Sequence, residues 1–253
     1  MKAHTEDSRS EESLEQLAAA GGSVKREYVR SAFEQIAPRY DMLNHLLSMN
    51  VDRRWRRRAV AGLDWMRDPT GTFLDLCAGT MDVAATLSKC PGFKGHIVAA
   101  DFAEAMLRAG RGKTVVGSTV PVVADALRLP LADSSVTGAI VAFGARNLAD
   151  LDAGLREVRR VLKTGGRFVI LEFTTPRSRI VRTLYHAYFH HILPLIGGLI
   201  SGHHSAYRYL PRSVAHFPSE AELARRLTAA GFSSVRYESL TFGIAAIHVA
   251  ERR

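Results

Sequence analysis

Apolar and polar positions follow two rhythms along this chain. Before Leu63 the apolar residues Val29, Phe33 and Ile36, then Leu43, Leu46 and Leu47, recur every three or four positions, as on one face of a helix. Pro38 interrupts the series, so two helices are expected between about residues 24 and 63. From Thr72 onward short apolar runs alternate with helical stretches. TFLDLCA (72–78), GHIVAAD (95–101), TVPVVAD (119–125), SVTGAIVAF (135–143) and GGRFVILEF (165–173) read as strands. Helices are expected from about Asp82, over AEAMLRAG (103–110) and over DLDAGLREVRRVLK (150–163). Apolar strands separated by helices imply a parallel sheet with helices on both faces. SSVRYESL (233–240) and GIAAIHVAE (243–251) lie too close together for a crossover helix. They predict an antiparallel hairpin at one end of the sheet. Residues 1–23 are polar, end in AAAGGS and read as a flexible tail. Residues 24–253 are expected to form one domain with an N-terminal helical cap.

Composition narrows the class. A hydrophobic content of 47% over 253 residues can fill a sizeable core. No run of 18 apolar residues is present, and ILPLIGGLI (192–200) is short and broken by Pro194, Gly197 and Gly198. The N-terminus lacks an apolar signal core, so a cytoplasmic protein is expected. Cys77 and Cys90 are the only cysteines, which excludes a disulfide framework and argues against a cysteine-ligated zinc site; no metal is expected. The net charge of +9 suits nucleic acid, an anionic membrane face or an anionic substrate. The densest cluster, RRWRRR (53–58), points several ways round a helix. A solvated basic helix and an anion-binding patch both remain open.

Ligands of open parallel sheets bind beyond the carboxyl ends of the strands. FLDLCAGTMDVAATL (73–87) places Asp75 in the first strand, Gly79 and Thr80 in the following turn and Asp82 at the helix start. A dinucleotide-binding turn uses glycines so that backbone can approach a pyrophosphate. Ala78 and Met81 stand at two such places, and a pyrophosphate would be crowded. Met81 either packs inward or lies on the ligand. The second strand ends in Asp101, where an acid can accept hydrogen bonds from both ribose hydroxyls. The third ends at Asp125, followed by Ala126, where an acid can accept from an exocyclic amine. An acid at a strand end also serves as a helix cap. Ribose and adenine without pyrophosphate point to S-adenosyl-L-methionine. With the terminal hairpin, the expected fold is α/β: a Rossmann-like class I methyltransferase with a mostly parallel seven-stranded sheet.

Longer stretches carry a more specific resemblance. AFEQIAPRYDMLNHLLSMNVDRRWRR, LDLCAGTMDVA, AFGARNLADLDAGLREVRRVLKTGGRFVILEF and YRYLPRSVAHFPSEAELARRLTAAGF together resemble the ubiquinone/menaquinone biosynthesis C-methyltransferases (UbiE/MenG type) from about Val24 to Arg253. The segments around FGARN and YRYLPRS are specific to that family, whereas the loop after the first strand is common to many methyltransferases. Departures are few: Ala78 and Met81 replace common glycines, Thr164 stands where proline is usual, and Ala142 where some members carry serine.

The resemblance implies methylation of a ring carbon on a polyprenylated quinol, with S-adenosyl-L-methionine as donor. Demethylmenaquinol and 2-polyprenyl-6-methoxy-1,4-benzoquinol are both open as substrates. Thr80, Asp101, Asp125 and Ala126 carry over as cofactor positions. Such a transfer needs the ring hydroxyl to lose its proton and the phenolate to be stabilised. Arg146 and Asn147, after the fourth strand, suit that role; a loop-fixing salt bridge is the other reading of Arg146. Tyr185 and Tyr188 lie with His186, His190 and His191 in an aromatic segment, and Tyr207 and Arg208 in YRYLPRS. They are candidates for the quinol pocket. The expected partners are the quinol and a transient membrane-surface contact, with no nucleic acid; a homodimer or a quinone-biosynthesis complex is left open. Two rival classes are an RNA methyltransferase, separated by a transfer assay with RNA, and a non-catalytic scaffold, separated by cofactor binding.

Overall fold

The computed structural model describes residues 21–42, 48–187 and 204–253. The strands are β1 (Thr72–Leu76), β2 (His96–Asp101), β3 (Thr119–Val123), β4 (Val136–Ala142), β5 (Leu162–Phe173), β6 (Phe232–Leu240) and β7 (Ala245–Arg252). The helices are α1 (Gly22–Ile36), α2 (Val51–Gly62), α3 (Asp82–Ser88), α4 (Glu104–Ala109), α5 (Leu151–Val161), α6 (Arg179–Ala187), α7 (His204–His216) and α8 (Glu220–Ala229). All seven strands join one sheet in the order β3-β2-β1-β4-β5-β7-β6. β1 to β5 pair in parallel, and β7 inserts antiparallel between β5 and β6. The expected hairpin is therefore at one end, with its second strand inside and its first at the edge.

Alternate residues of the central strands serve opposite layers. Phe73, Ile140, Val169, Leu171 and Val249 meet α2 and α3 through Ala59, Val60, Leu63, Val83 and Leu87. Leu74, Leu76, Val141, Phe168, Ile170 and Ala250 meet α5 and α8 through Leu155, Val158, Leu223 and Leu227. Both faces are dry, which is why these strands read as nearly continuous apolar runs. Truncating Phe73, 1% exposed, to alanine would cost about 3–5 kcal/mol by leaving a cavity between the layers.

Two details depart from the sequence reading. β5 starts at Leu162, inside the stretch expected to be helical, because Leu162 pairs with Val136 at the foot of β4. α6, α7 and α8 were not anticipated as helices. Ser219 caps α8 by accepting the Glu222 N–H at 3.4 Å. Pro38 lies in a short 3-10 turn (Ala37–Arg39) directly after α1, so the interruption is where proline predicts it.

α1 crosses the carboxyl end of the sheet. Val29 packs on Tyr209, and Phe33 meets Ala103 and Met106. The Gly22 N–H donates to the Ala149 carbonyl at 3.2 Å, fixing the start of α1 on the loop after β4.

Candidate active site

The turn after β1 holds three positive backbone angles, at Cys77 (φ 52), Gly79 (φ 53) and Met81 (φ 61). This tight path brings the Gly79 N–H to Asp101 Oδ2 at 2.8 Å. The other oxygen of Asp101 accepts from the Ala103 N–H at 2.8 Å. Burial pushes the Asp101 carboxyl up, against these backbone donors. The Phe102 N–H also acts on this carboxylate, and an ionised carboxylate offers about four acceptor sites, so capacity remains for a hydroxyl donor.

Asp101 lines a cavity with Gly79, Phe102, Asp125, Ala126 and Asn147, beyond the ends of β1 to β4. Asp125 Oδ1 accepts from the Leu127 N–H at 3.0 Å, and Oδ2 pairs with Arg26 Nη2 of α1 at 3.0 Å. Small residues, Ala100, Ala124, Ala126 and Ala142, form much of the wall. Arg26, the cation among the lining residues, is already paired. Two strand-end acids and small, close walls fit an adenosyl group and do not suit a pyrophosphate.

The other loop candidates sit elsewhere. Asp75 is 2% exposed and does not line the cavity; its Oδ2 accepts from the Ala84 N–H at 2.9 Å, so it ties the first turn of α3 to the strand. Burial pushes its carboxyl up to about 7, opposed by the Ala84 N–H and aided by the charges of Asp101 and Asp82. Thr80 and Asp82 are also outside the lining. The Thr80 hydroxyl bonds Asp41, Lys113 bonds both Asp41 and Asp82, and Arg56 pairs with Asp52 and lies 3.7 Å from Asp82. Thr80 and Asp82 thus belong to a polar network that ties the segment after α1 to the loop. Met81 packs inward with Val83 and Leu87. In RRWRRR, Trp55 and Arg56 are buried while the other four arginines are exposed.

Behind the cavity wall, next to Asn147, a different group is buried. The Arg146 guanidinium bonds Glu172 Oε1 at 2.7 Å and the Phe143 carbonyl, with Phe173 at 5.5 Å beneath it. This is the salt-bridge arrangement, and Arg146 does not line the cavity. Asn147 does, and its Oδ1 accepts from the Tyr209 hydroxyl at 3.3 Å. Lys25 of α1, 8% exposed, feels both Arg146 and Glu172. Burial first, and Arg146 second, lower the Lys25 ammonium to about 8, against the attraction of Glu172. Tyr185 and Tyr209 are buried, and burial pushes both phenols up. Tyr188 lies outside the described residues; Tyr207 and Arg208 belong to α7, and their side chains lie outside the description.

Sequence reasoning missed Lys25 and Glu172. Signals were present. Lys25 stands four residues before Val29 on the apolar face of α1, and Glu172 is an acid inside an apolar strand.

Comparison with known proteins adds a family to this geometry. The model of the ubiE/COQ5 methyltransferase family matches residues 22–252. The demethylmenaquinone methyltransferase of Thermus thermophilus is 50% identical over 223 residues, covering 87% of this chain and 99% of its own. The ubiquinone/menaquinone biosynthesis C-methyltransferase UbiE of Geobacter sulfurreducens is 44% identical over 232 residues, covering 90% of each. Among solved structures, a SAM-dependent methyltransferase from Thermotoga maritima superposes with a TM-score of 0.61 at 18% identity, covering 88% of this chain and 99% of that one. The [4+2]-cyclase SpnF superposes with a TM-score of 0.60 at 16% identity over 81% of each chain. At that distance likeness shows the fold alone, and the fold hosts more than one chemistry.

Proposed function

This chain belongs to the ubiE/COQ5 methyltransferase family, and we propose that it methylates a ring carbon of a polyprenylated quinol in respiratory quinone biosynthesis. S-adenosylmethionine, its cosubstrate, supplies an electrophilic methyl group. Asp101 would hold the ribose hydroxyls and Asp125 with Ala126 the adenine. Gly79 gives the close backbone approach. Asp75, Thr80 and Asp82 serve by shaping the turn.

The observation that carries the quinol reading is the charge of the buried group beside Asn147. Lys25 and Arg146 are two cations against the one carboxylate of Glu172. A buried, uncompensated positive charge is costly, and an anion that arrives there is favoured. An ionised quinol oxygen is such an anion. That net charge holds while Lys25 is protonated; in the fraction where Lys25 is neutral it takes the hydroxyl proton, and as the ammonium it then faces the phenolate. The electron pair released into the ring makes the ortho carbon nucleophilic. Asn147 offers its Nδ2 donors to a substrate oxygen, and Arg146 positions the group through Glu172. After transfer, the methylated carbon loses its proton to solvent and Lys25 returns its own to the oxygen. A lysine titrating near working pH suits this exchange.

A lipid tail on the substrate places the reaction at a membrane. Among the described residues no helix is long and apolar enough to cross one. The protein is read as a cytoplasmic enzyme that touches the membrane reversibly. The test is incubation with S-adenosylmethionine and short-prenyl demethylmenaquinol or methoxybenzoquinol, followed by mass spectrometry. Ring methylation of at least one is expected; transfer to neither overturns the reading.

A further inference from the structure

The tip of the β6–β7 hairpin exposes an aromatic side chain in a conformation that aromatic residues avoid. Thr241, Phe242 and Gly243 have successive φ values of 46, 59 and 87. Positive φ is easy for glycine and unfavourable for a bulky side chain. Phe242 adopts it and is nevertheless 82% exposed, so no burial of its ring within the protein offsets the strain. The tip is not loose. Trp55 Nε1 donates to Thr241 Oγ1 at 3.0 Å, Thr174 Oγ1 donates to the Gly243 carbonyl at 2.7 Å, and the Thr174 N–H donates to the Ile244 carbonyl at 2.9 Å. Phe242 is held outward by a rigid mount.

Its surroundings are basic. The strand-to-helix crossing after β5 runs against the tip: a Cβ on Gly243 would lie 3.5 Å from Pro176 Cα. That crossing presents Arg177, 73% exposed, and leads into α6, where Arg179 and Arg182 are exposed and Ile180 is 75% exposed. On the other flank Arg58 of α2 reaches Glu238 of β6 at 2.6 Å. Among the described residues the acids paired with these cations are that Glu238 and the buried Glu220, 3.6 Å from Arg177. Among the described residues Arg179 and Arg182 have no acidic partner within 4.0 Å. All this lies at the carboxyl edge of the sheet, since Phe173, the last residue of β5, pairs with Ala245, the first of β7. The candidate site opens on the same edge.

We propose that this edge is the surface by which the protein docks on an anionic lipid bilayer, with Phe242 and Ile180 entering the headgroup layer and Arg177, Arg179 and Arg182 on lipid phosphates. The proposal rests on the reading of a lipid-borne substrate and adds the surface that meets the lipid. Aromatic rings favour the membrane–water boundary, and guanidinium forks match phosphate oxygens. The pattern suits lipid better than a protein partner. Protein interfaces concentrate apolar residues at a centre depleted of charge. Here two apolar side chains stand apart among cations, as on an interfacial helix.

The test is co-flotation of the full chain with phosphatidylcholine vesicles, with and without phosphatidylglycerol, at low and high salt. Wild type is expected to bind the anionic vesicles at low salt and to be released by salt. Phe242→Ser should weaken binding on the order of tenfold, the loss of one buried aromatic face. Each of Arg177→Ser, Arg179→Ser and Arg182→Ser should weaken it about fivefold. All four residues are exposed, so the variants should fold. Turnover of a water-soluble quinol analogue should stay at the wild-type level in each. Vesicle binding unchanged in Phe242→Ser and in the triple arginine variant overturns the proposal, as does a wild type that binds no vesicle. If Phe242→Ser abolishes self-association instead of vesicle binding, the surface belongs to a second copy and the lipid assignment fails. Absence of turnover with the soluble analogue in wild type counts against the quinol reading and leaves the vesicle result to stand separately.

Discussion

The candidate cavity and the buried charged group behind its Asn147 wall are built by opposite means. At the end proposed for the cofactor the protein aims its backbone at carboxylates: Gly79 and Ala103 N–H groups hold Asp101 and Leu127 N–H holds Asp125, while Ala84 N–H holds Asp75 behind the cavity wall. These partners lie on neighbouring strand ends and are fixed as soon as the parallel sheet forms. At the end beyond Asn147, in the buried group behind the cavity wall, side chains hold one another. Lys25, Arg146, Glu172, Tyr185 and Tyr209 come from α1, the loop after β4, β5, α6 and α7. That end needs most of the chain to be in place, and it carries an unbalanced charge. One is therefore fixed by the backbone and the other by side chains drawn from the whole chain.

The largest test of this contrast is Glu172→Ala. It strands two buried cations, and breaking a buried ion pair costs about 3–5 kcal/mol. Thermal or urea unfolding would measure it. A loss below about 1 kcal/mol would mean the group is wetter than its burial indicates. Next is Asp101→Ala, which should weaken S-adenosylmethionine binding by about 2–4 kcal/mol by calorimetry, since hydrogen bonds to a charged group contribute roughly 1.5–3 kcal/mol each and do not fully add. Unchanged affinity would remove Asp101 from the cofactor site.

Lys25→Met should lower quinol turnover by about a hundredfold, at the lower end for loss of a general base. Wild-type turnover should rise as pH passes upward through about 8, where Lys25 loses its proton, and the variant should lack that inflection. A profile shared by both proteins would make Lys25 structural. The smallest effect is expected at Asp75→Asn. The folded carboxyl titrates near 7 and the unfolded one near 3.8, so the native state binds the extra proton between those values. Wild-type stability then falls as pH rises through that window, and the asparagine variant should gain on it progressively up to about pH 7. An advantage that does not grow with pH would contradict the burial argument.

The same contrast explains what the sequence made legible. Strand ends can be found from apolar runs, so Asp101 and Asp125 were located at the edge of the sheet and the antiparallel hairpin was anticipated from its short connection. Asp75 could not be told from a cofactor ligand, because a buried carboxylate that caps a helix and one that faces a ligand stand in the same motif. Arg146 was identified, but its partner was not: Glu172 lies 26 residues further on, and no local pattern pairs them. Lys25 was hidden because a lysine on an apolar helix face ordinarily extends its charge to solvent. α6, α7 and α8 escaped because aromatic and charged positions there blur the helical period.

The insertion of β7 has a consequence for how the molecule is made. It is the last of the seven strands to be synthesised, yet it lies inside the sheet and completes the pairing of β5. Until Ala245–Arg252 emerges from the ribosome, β5 presents an open apolar edge and β6 has no strand to join. Non-local pairing of this kind forms slowly, and an unpaired apolar edge invites the edges of other chains. The interval between synthesis of β5 and of β7 is thus the time of greatest aggregation risk, and chaperone dependence should track the rate of translation through α6–β6 rather than the stability of the finished fold.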